Sequence, residues 1–374
     1  MIVITTQCFP PRPGGIEHLM HACAAALVAK GIAVAVLADH NNDPLAAAFD
    51  RAQSFSIRRF GGFKPWRRWR KARALAALIA TRQCTGVIAD SWKSLEYFRP
   101  ARCVPTLCLA HGTELPVTST AHKARRIAAA FARTTAIIAN SAYTAARVSR
   151  YVKEAARVHV IHPGLTVAEP PSAHNAAHID QALAGATPRL ISVGRLELRK
   201  GLDRVLRVLP RLITQYPQLV YLVIGDGSMG QALETQAKAL AVLDHVRFIH
   251  GASDQVRDAY LAACDLFVLP GRIKGDDVEG FGMAYIEAAW FGVPAVAGNA
   301  GGAVEAVLHE QTGLVCQGDQ DEDLYVAIKR LLDNPEWLRE LGAHAQTRAH
   351  DFLWDKVLDK YLLLLGVPDF ASIR

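Results

Sequence analysis

Two glutamates stand eight positions apart in "VEGFGMAYIE" (278–287): Glu279 precedes a Gly-Phe-Gly turn, and Glu287 lies in an apolar run that reads as a helix. Gly280, Phe281 and Gly282 sit where loop becomes helix, and the first N–H groups of a helix have no intrahelical acceptor, which favours an anion there. Glu279, just ahead of that point, can meet ligand hydroxyls or a developing cation. Glu287 is placed to reach a ribose; in the otherwise apolar "MAYIEAAWFGV" a buried carboxylate needs a partner. A second stretch, "SVGRLELRKG" (192–201), puts Arg195 at the end of a strand-like run and Lys200 five residues later, with Gly194 and Gly201 beside them. Arginine grips two oxygens at once and lysine adds a compact charge, so the pair suits a diphosphate.

Three further stretches carry weaker signals. "PPRPGGIEHL" (10–19) follows the first strand-like run, and Gly14 and Gly15 would let backbone approach a phosphate at the start of the next helix. "CLAHGTELP" (108–116) places His111 just past the fourth strand-like run. "GDGSMG" (225–230) matches GxGxxG, with Asp244 near the spacing of a ribose-binding acid, which together suggest NAD. Against that, the fingerprint normally occupies the first βα turn of its domain, and Asp244 precedes the next strand-like run.

These residues need a scaffold that gathers the ends of strands. β-Branched apolar runs recur at 2–5, 32–38, 85–89, 104–110, 135–139 and 158–162, then at 189–194, 219–225, 246–251, 265–270 and 293–298, separated by segments of helical period. Strands buried on both faces and joined by helical crossovers predict an α/β chain of two parallel-sheet, Rossmann-like domains. In such sheets ligands bind beyond the carboxyl ends of the strands, where all of the motifs above fall. "LTVAEPPSAHNAAHIDQALAGATP" (165–188) reads as the linker, giving domains at 1–168 and 185–351.

Composition narrows the class. The 374 residues are 51% hydrophobic and 21% charged, a globular balance without a disorder signature. The seven cysteines are odd in number, scattered and without a CxxC, so they read as small hydrophobes in a reducing cytoplasm. No signal peptide or span of roughly 20 apolar residues is apparent. Net charge is uneven: residues 1–170 hold 23 Lys and Arg against 9 Asp and Glu, and the remainder 19 against 26. Within the basic half, "KPWRRWRKAR" (64–73) mixes Trp66 and Trp69 with Arg67, Arg68, Arg70, Lys71 and Arg73. That mixture suits an anionic membrane surface, at roughly 1 kcal/mol per cation. No RRM, KH or helix-turn-helix pattern accompanies the charge, so nucleic acid is not expected.

Taken in order, the motifs resemble the retaining glycosyltransferases of family 4, which have the GT-B fold, over nearly the whole chain. "GGIE" resembles that family's glycine loop, "HG" (111–112) its active-site histidine, "NSAYTA" (140–145) and "HPGL" (162–165) the segments leading to the domain crossing. "VGRLELRKG" resembles its diphosphate clamp, "EGFGMAYIE" its E-x7-E motif, and the final helical segment its closing helix, which implies that 352–374 packs back on the first domain. The resemblance implies two domains facing across a cleft, with Gly15, Arg195, Lys200, Gly280, Phe281, Gly282 and Glu287 binding the donor and His111 and Glu279 at the reacting sugar. It implies front-face transfer from a nucleotide sugar, with no metal or other cofactor required. "PGRIKGDDVEGFGMAYIEA" with "PAVAGNAGGAVEAV" most resembles the GDP-mannose-dependent mannosyltransferases of phosphatidylinositol mannosides. The expectation is a cytoplasmic enzyme, peripheral at the inner face of the membrane, that moves a hexose to a lipid-linked or glycan acceptor. A UDP-sugar donor, an NAD-dependent oxidoreductase and a non-catalytic nucleotide- or membrane-binding protein of the same fold are the alternatives.

Overall fold

The computed structural model describes residues 1–40, 42–99, 103–167 and 172–367. The chain separates into two compact units, one formed by Met1–Thr166 with the segment from Leu353 onward, the other by Val167–Phe352.

The first unit has seven parallel strands, β1 (Ile2–Thr6), β2 (Val34–Asp39), β3 (Ser56–Phe60), β4 (Gly86–Ala89), β5 (Thr106–Ala110), β6 (Ala136–Ala139) and β7 (Val158–Val160), and the five between the two edge strands β3 and β7 are buried and mostly apolar. Their order is β3-β2-β1-β4-β5-β6-β7, with Ile4 paired to Val36 on one side and Ile88 on the other. Side chains alternate across the sheet. Ile2 and Ile4 point into one core with Met20, Cys23 and Leu27, while Val3 points into the other with Leu75, Ile79 and Phe131. The helix Trp354–Leu364 closes the first of these cores against the helix Gly15–Ala29, burying Leu358 and Tyr361 almost completely. Gly164 gives it room, since a Cβ there would collide with the indole of Trp354.

The second unit has six parallel strands, β8 (Arg189–Val193), β9 (Val220–Ile224), β10 (Val246–Ile249), β11 (Leu266–Leu269), β12 (Ala295–Gly298) and β13 (Gly313–Cys316), in the order β10-β9-β8-β11-β12-β13. Strand order reverses between β8 and β11, which pair as Leu190 with Leu266 and Ile191 with Phe267. A reversal of this kind opens a crevice past the strand ends. The loops that follow β8 and β11 are 194–201 and 270–282.

Two strands escape a reading by hydrophobic runs. β3, "SIRRF", is an edge strand whose first and third residues, Ser56 and Arg58, are exposed. β13, "GLVC", is four residues long and opens on glycine. With β3 counted, His111 follows the fifth strand of its sheet. The expected linker also differs: 173–182 forms a helix of the second unit, favoured by its alanines, and the chain passes between units at Thr166–Val167. Residues 168–171 and 368–374 lie outside the described residues.

Leu358→Ala should cost about 2–5 kcal/mol, the range for a large-to-small change in a closed core. The expected readout is a lower midpoint for the first unit in scanning calorimetry.

Candidate active site

The centre of the second unit's crevice is an ion cluster. A 3-10 turn, Leu198–Lys200, follows β8 and ends on Gly201, whose left-handed backbone (φ 78°) starts the helix Leu202–Gln215. This turn directs two adjacent cations to one carboxylate. Lys200 Nζ lies 2.5 Å from Glu279 Oε2 and Arg199 Nη1 lies 2.8 Å from the same oxygen. Arg199 Nε is also 3.1 Å from Glu197 Oε2 and 3.1 Å from Asp277 Oδ1. The side chains of Arg199, Lys200 and Glu279 are only 7%, 10% and 15% exposed, so the charges meet with little water between them. Burial alone would raise the carboxyl of Glu279, but the charges and hydrogen bonds of Lys200 and Arg199 outweigh it and hold it at about 2. That depression is worth on the order of 3 kcal/mol. Burial likewise opposes the charge of Arg199, and Glu279, Asp277 and Glu197 together more than restore it.

The main chain around Glu279 is fixed from another loop: Gly302 N–H donates to the Glu279 carbonyl at 3.0 Å. Past Glu279, Phe281 is buried with its ring 5.6 Å from that of Phe352, so only its backbone is open to a ligand. Gly282 caps the helix Met283–Trp290 with φ 97°, and a Cβ there would stand 2.5 Å from the Tyr285 ring. Tyr285 in turn donates to the Leu269 carbonyl at 2.6 Å, which ties the helix start to the end of β11.

The other sequence-predicted residues are placed differently. Arg195 lies at the outer edge of this cluster: its side chain is 69% exposed and its Nη1 lies 2.6 Å from Glu197 Oε1. Arg199, which sequence reasoning missed, takes the inward place. The only hint was its position next to Lys200 in "ELRKG", and a turn had to be formed before both could point one way. Glu287 is half-buried on its helix, and its carboxylate helps to keep Arg257 charged; Arg257 also bonds Asp254 at 2.8 Å and Asp258 at 2.7 Å.

The glycines of "GDGSMG" have a packing role. A Cβ on Gly225 would strike the Gly194 carbonyl oxygen, and one on Gly227 would sit 2.5 Å from the Leu196 carbonyl oxygen. Backbone bonds Leu196 N–H to Asp226 O (2.9 Å) and Met229 N–H to Leu196 O (2.9 Å) lock the two loops together. Asp244 is exposed in the turn Leu243–His245 ahead of β10. The fingerprint is used to pack the loop after β8, and the dinucleotide reading falls with it.

In the first unit, His111 Nε2 lies 2.9 Å from the Asp90 carbonyl. A carbonyl only accepts, so Nε2 carries a proton and Nδ1 is the basic nitrogen of the neutral ring. Glu114 Oε1 accepts from His111 N–H at 2.7 Å, and buried Arg147 donates to the Gly112 carbonyl at 3.0 Å, so the HG turn is held from both sides. Gly15 is exposed at the first turn of its helix, but Glu17 curls its carboxylate back against Gly14. That helix start already carries an anion of its own.

The basic helix Lys64–Ala80 also changes character. Lys71 is buried, with Nζ 2.8 Å from Asp39 Oδ1 and 2.6 Å from the Thr6 carbonyl. Arg67 pairs with Asp39 at 2.7 Å and Arg68 with Glu96 at 2.8 Å. The exposed residues of this stretch include Phe63, Lys64, Trp66, Trp69, Arg70 and Arg73, with the two indoles stacked at 4.8 Å and Arg73 4.9 Å from the Trp69 ring. Among the described residues, no helix is long and apolar enough to cross a membrane.

Two parallel-sheet units, with cations and a helix start gathered at a switch point, define the GT-B class of nucleotide-sugar enzymes. The comparisons agree: residues 13–169 match the model described as Glycosyltransferase Family 4, and 175–348 that described as Glycosyl transferases group 1. A GDP-mannose-dependent alpha-(1-6)-phosphatidylinositol monomannoside mannosyltransferase of Mycobacterium tuberculosis is 30% identical over 99% of both chains. A GDP-mannose-dependent monoacylated alpha-(1-6)-phosphatidylinositol monomannoside mannosyltransferase of Corynebacterium glutamicum is 27% identical over 93% of this chain and 92% of its own. The crystal structure of Anabaena HepE in complex with UDP superposes with a TM-score of 0.79 at 19% identity, covering 98% of this chain and 100% of that one. The chain belongs to glycosyltransferase family 4 and is a glycosyltransferase.

Glu279→Gln should lower the stability of the second unit by about 3 kcal/mol at pH 7, because buried cations lose a counter-charge. A carboxyl depressed in the folded state stabilises above its unfolded value and loses that contribution as pH falls through about 2. The gap between wild type and variant in urea unfolding should therefore narrow steadily below about pH 4.5.

Proposed function

We propose that this enzyme transfers a hexose, mannose from GDP-mannose, to a lipid-linked or glycan acceptor with retention at the anomeric carbon. The observation that carries the reading is the convergence of Lys200 and the Gly282 helix start on one crevice beside Glu279, in a chain similar end to end to GDP-mannose-dependent mannosyltransferases. In this reading Lys200 and exposed Arg195 meet the donor diphosphate, and the backbone of Gly280, Phe281 and Gly282 takes the remaining phosphate charge. Glu287 serves the ribose. Glu279 is assigned to the transferring sugar, and His111 keeps the catalytic role that the family resemblance implies. As the anomeric C–O bond breaks, the leaving diphosphate gains charge that the cations and helix start stabilise, so no metal enters the scheme. The acceptor oxygen attacks from the same face, and its proton passes to the departing phosphate oxygen.

A UDP-sugar is the second reading, favoured by the UDP complex of the similarly folded HepE. A transfer assay with GDP-mannose, GDP-glucose, UDP-glucose and UDP-galactose on polyprenyl, inositol-lipid and oligosaccharide acceptors separates the two. Turnover with GDP-mannose alone is the expected result, and turnover confined to a UDP-sugar would remove the mannose assignment. Lys200→Ala should weaken GDP binding by about 1.5–3 kcal/mol in calorimetry, the range for a hydrogen bond to a charged group.

For the acceptor side, the exposed face Phe63, Trp66, Trp69, Arg70 and Arg73 supports peripheral contact with an anionic bilayer. Trp66→Ala with Trp69→Ala and Arg70→Gln should lower co-sedimentation with vesicles of 30% phosphatidylinositol, roughly tenfold, and leave turnover on soluble acceptors intact. Undiminished vesicle binding would remove this face as the contact.

A further inference from the structure

In the reading above, Lys200 has two tasks that exclude each other. Its ammonium lies 2.5 Å from Glu279 Oε2, yet the donor diphosphate requires the same charge. A mostly buried carboxylate deserted by its only cation takes up a proton. Glu279 has a second cation. Arg199 approaches the same oxygen at 2.8 Å and is itself held by Glu197 and Asp277, each 3.1 Å from its Nε. Three carboxylates and near-complete burial keep this guanidinium turned inward, whereas the Lys200 ammonium has no hydrogen bond or ion pair among the described residues other than the one to Glu279. Both cations use Oε2, and no protein group among the described residues hydrogen-bonds Oε1.

We infer that Arg199 is the standing counter-ion of Glu279, allowing Lys200 to be handed to the donor diphosphate while Glu279 stays ionised with Oε1 open to the sugar. Arg199 is thus a positioning residue, acting through Glu279, and the inference rests on Lys200 meeting the diphosphate. The charged and titratable groups around Glu279 are few. Lys200 and Arg199 come from the turn after β8, Glu197 and Asp277 lie behind Arg199, and Arg195 pairs with Glu197. Tyr285, whose phenol burial pushes well above its ordinary range, stays neutral throughout.

The test is a proton count. GDP is titrated at pH 6.5 in buffers of different ionisation enthalpy into wild type, Arg199→Met, Arg199→Gln and Arg199→Lys. The two uncharged variants should take up more protons per GDP than wild type, about 0.2–0.8 of a proton at this pH for a Glu279 that titrates between about 6 and 7, and Arg199→Lys should match wild type. Their kcat with the preferred donor should also acquire an acid limb between about pH 5 and 7 that wild type and Arg199→Lys lack. Two variants of different shape guard against a folding defect in either one, checked by circular dichroism. A wild-type proton count and pH profile in a folded Arg199→Met or Arg199→Gln would overturn the inference. So would loss of GDP binding as severe as in Lys200→Ala, because Arg199 would then be a phosphate ligand. If Lys200→Ala binds GDP normally, the diphosphate reading itself fails, a different result from failure of the Arg199 role alone.

Discussion

A carboxylate that is 15% exposed can remain charged only where cations reach it, and Glu279 meets that condition from across the sheet. Its cations come from the loop after β8, while Glu279 follows β11. The pairing therefore requires β8 and β11 to be neighbours in register, Leu190 beside Leu266 and Ile191 beside Phe267. The strand order that makes them neighbours is the reversal that opens the crevice. One ion cluster thus links topology, loop conformation and the place where a diphosphate leaving group would develop its charge.

Close backbone packing carries the rest of that constraint. The turn that aims Arg199 and Lys200 is tied through Leu196 to the loop after β9, and Gly225 and Gly227 are what let those main chains touch. Glu279 is held in the same way by Gly302 N–H on its carbonyl. A motif that reads as a nucleotide fingerprint is here a means of stiffening its neighbour. Loops built by such contacts are preorganised, which suits a site that must stabilise charge without reorganising.

The first unit turns its excess positive charge partly inward. Asp39 takes both Lys71 and Arg67, and Glu96 takes Arg68 and Arg126. The pairs of Lys71, Arg67 and Arg68 tie the helix Lys64–Ala80 to the end of β2 at Asp39 and to the loop after β4 at Glu96. What is left outside is smaller and more aromatic than the raw charge of "KPWRRWRKAR" implies, and Trp66 stacked on Trp69 gives it a rigid apolar centre.

Local order was legible in the chain itself. Eleven of the thirteen strands announce themselves as β-branched apolar runs, because a strand covered by helices on its faces is built mostly from apolar residues. The E-x7-E spacing and the Arg/Lys loop are also local patterns, and they located Lys200, Glu279 and the Gly282 helix start. Edge strand β3 was hidden by its arginines, and short β13 by its glycine. Which cation meets which carboxylate was decided only by tertiary structure. Arg195 and Arg199 are the same residue type four positions apart, and a single 3-10 turn sends one outward and the other to Glu279. Lys71 and Arg70 are adjacent, yet helical rotation buries one on Asp39 and leaves the other in solvent. Sequence determines the charges and the secondary structure that carries them; their partners depend on directions in space that arise only when distant strands pair.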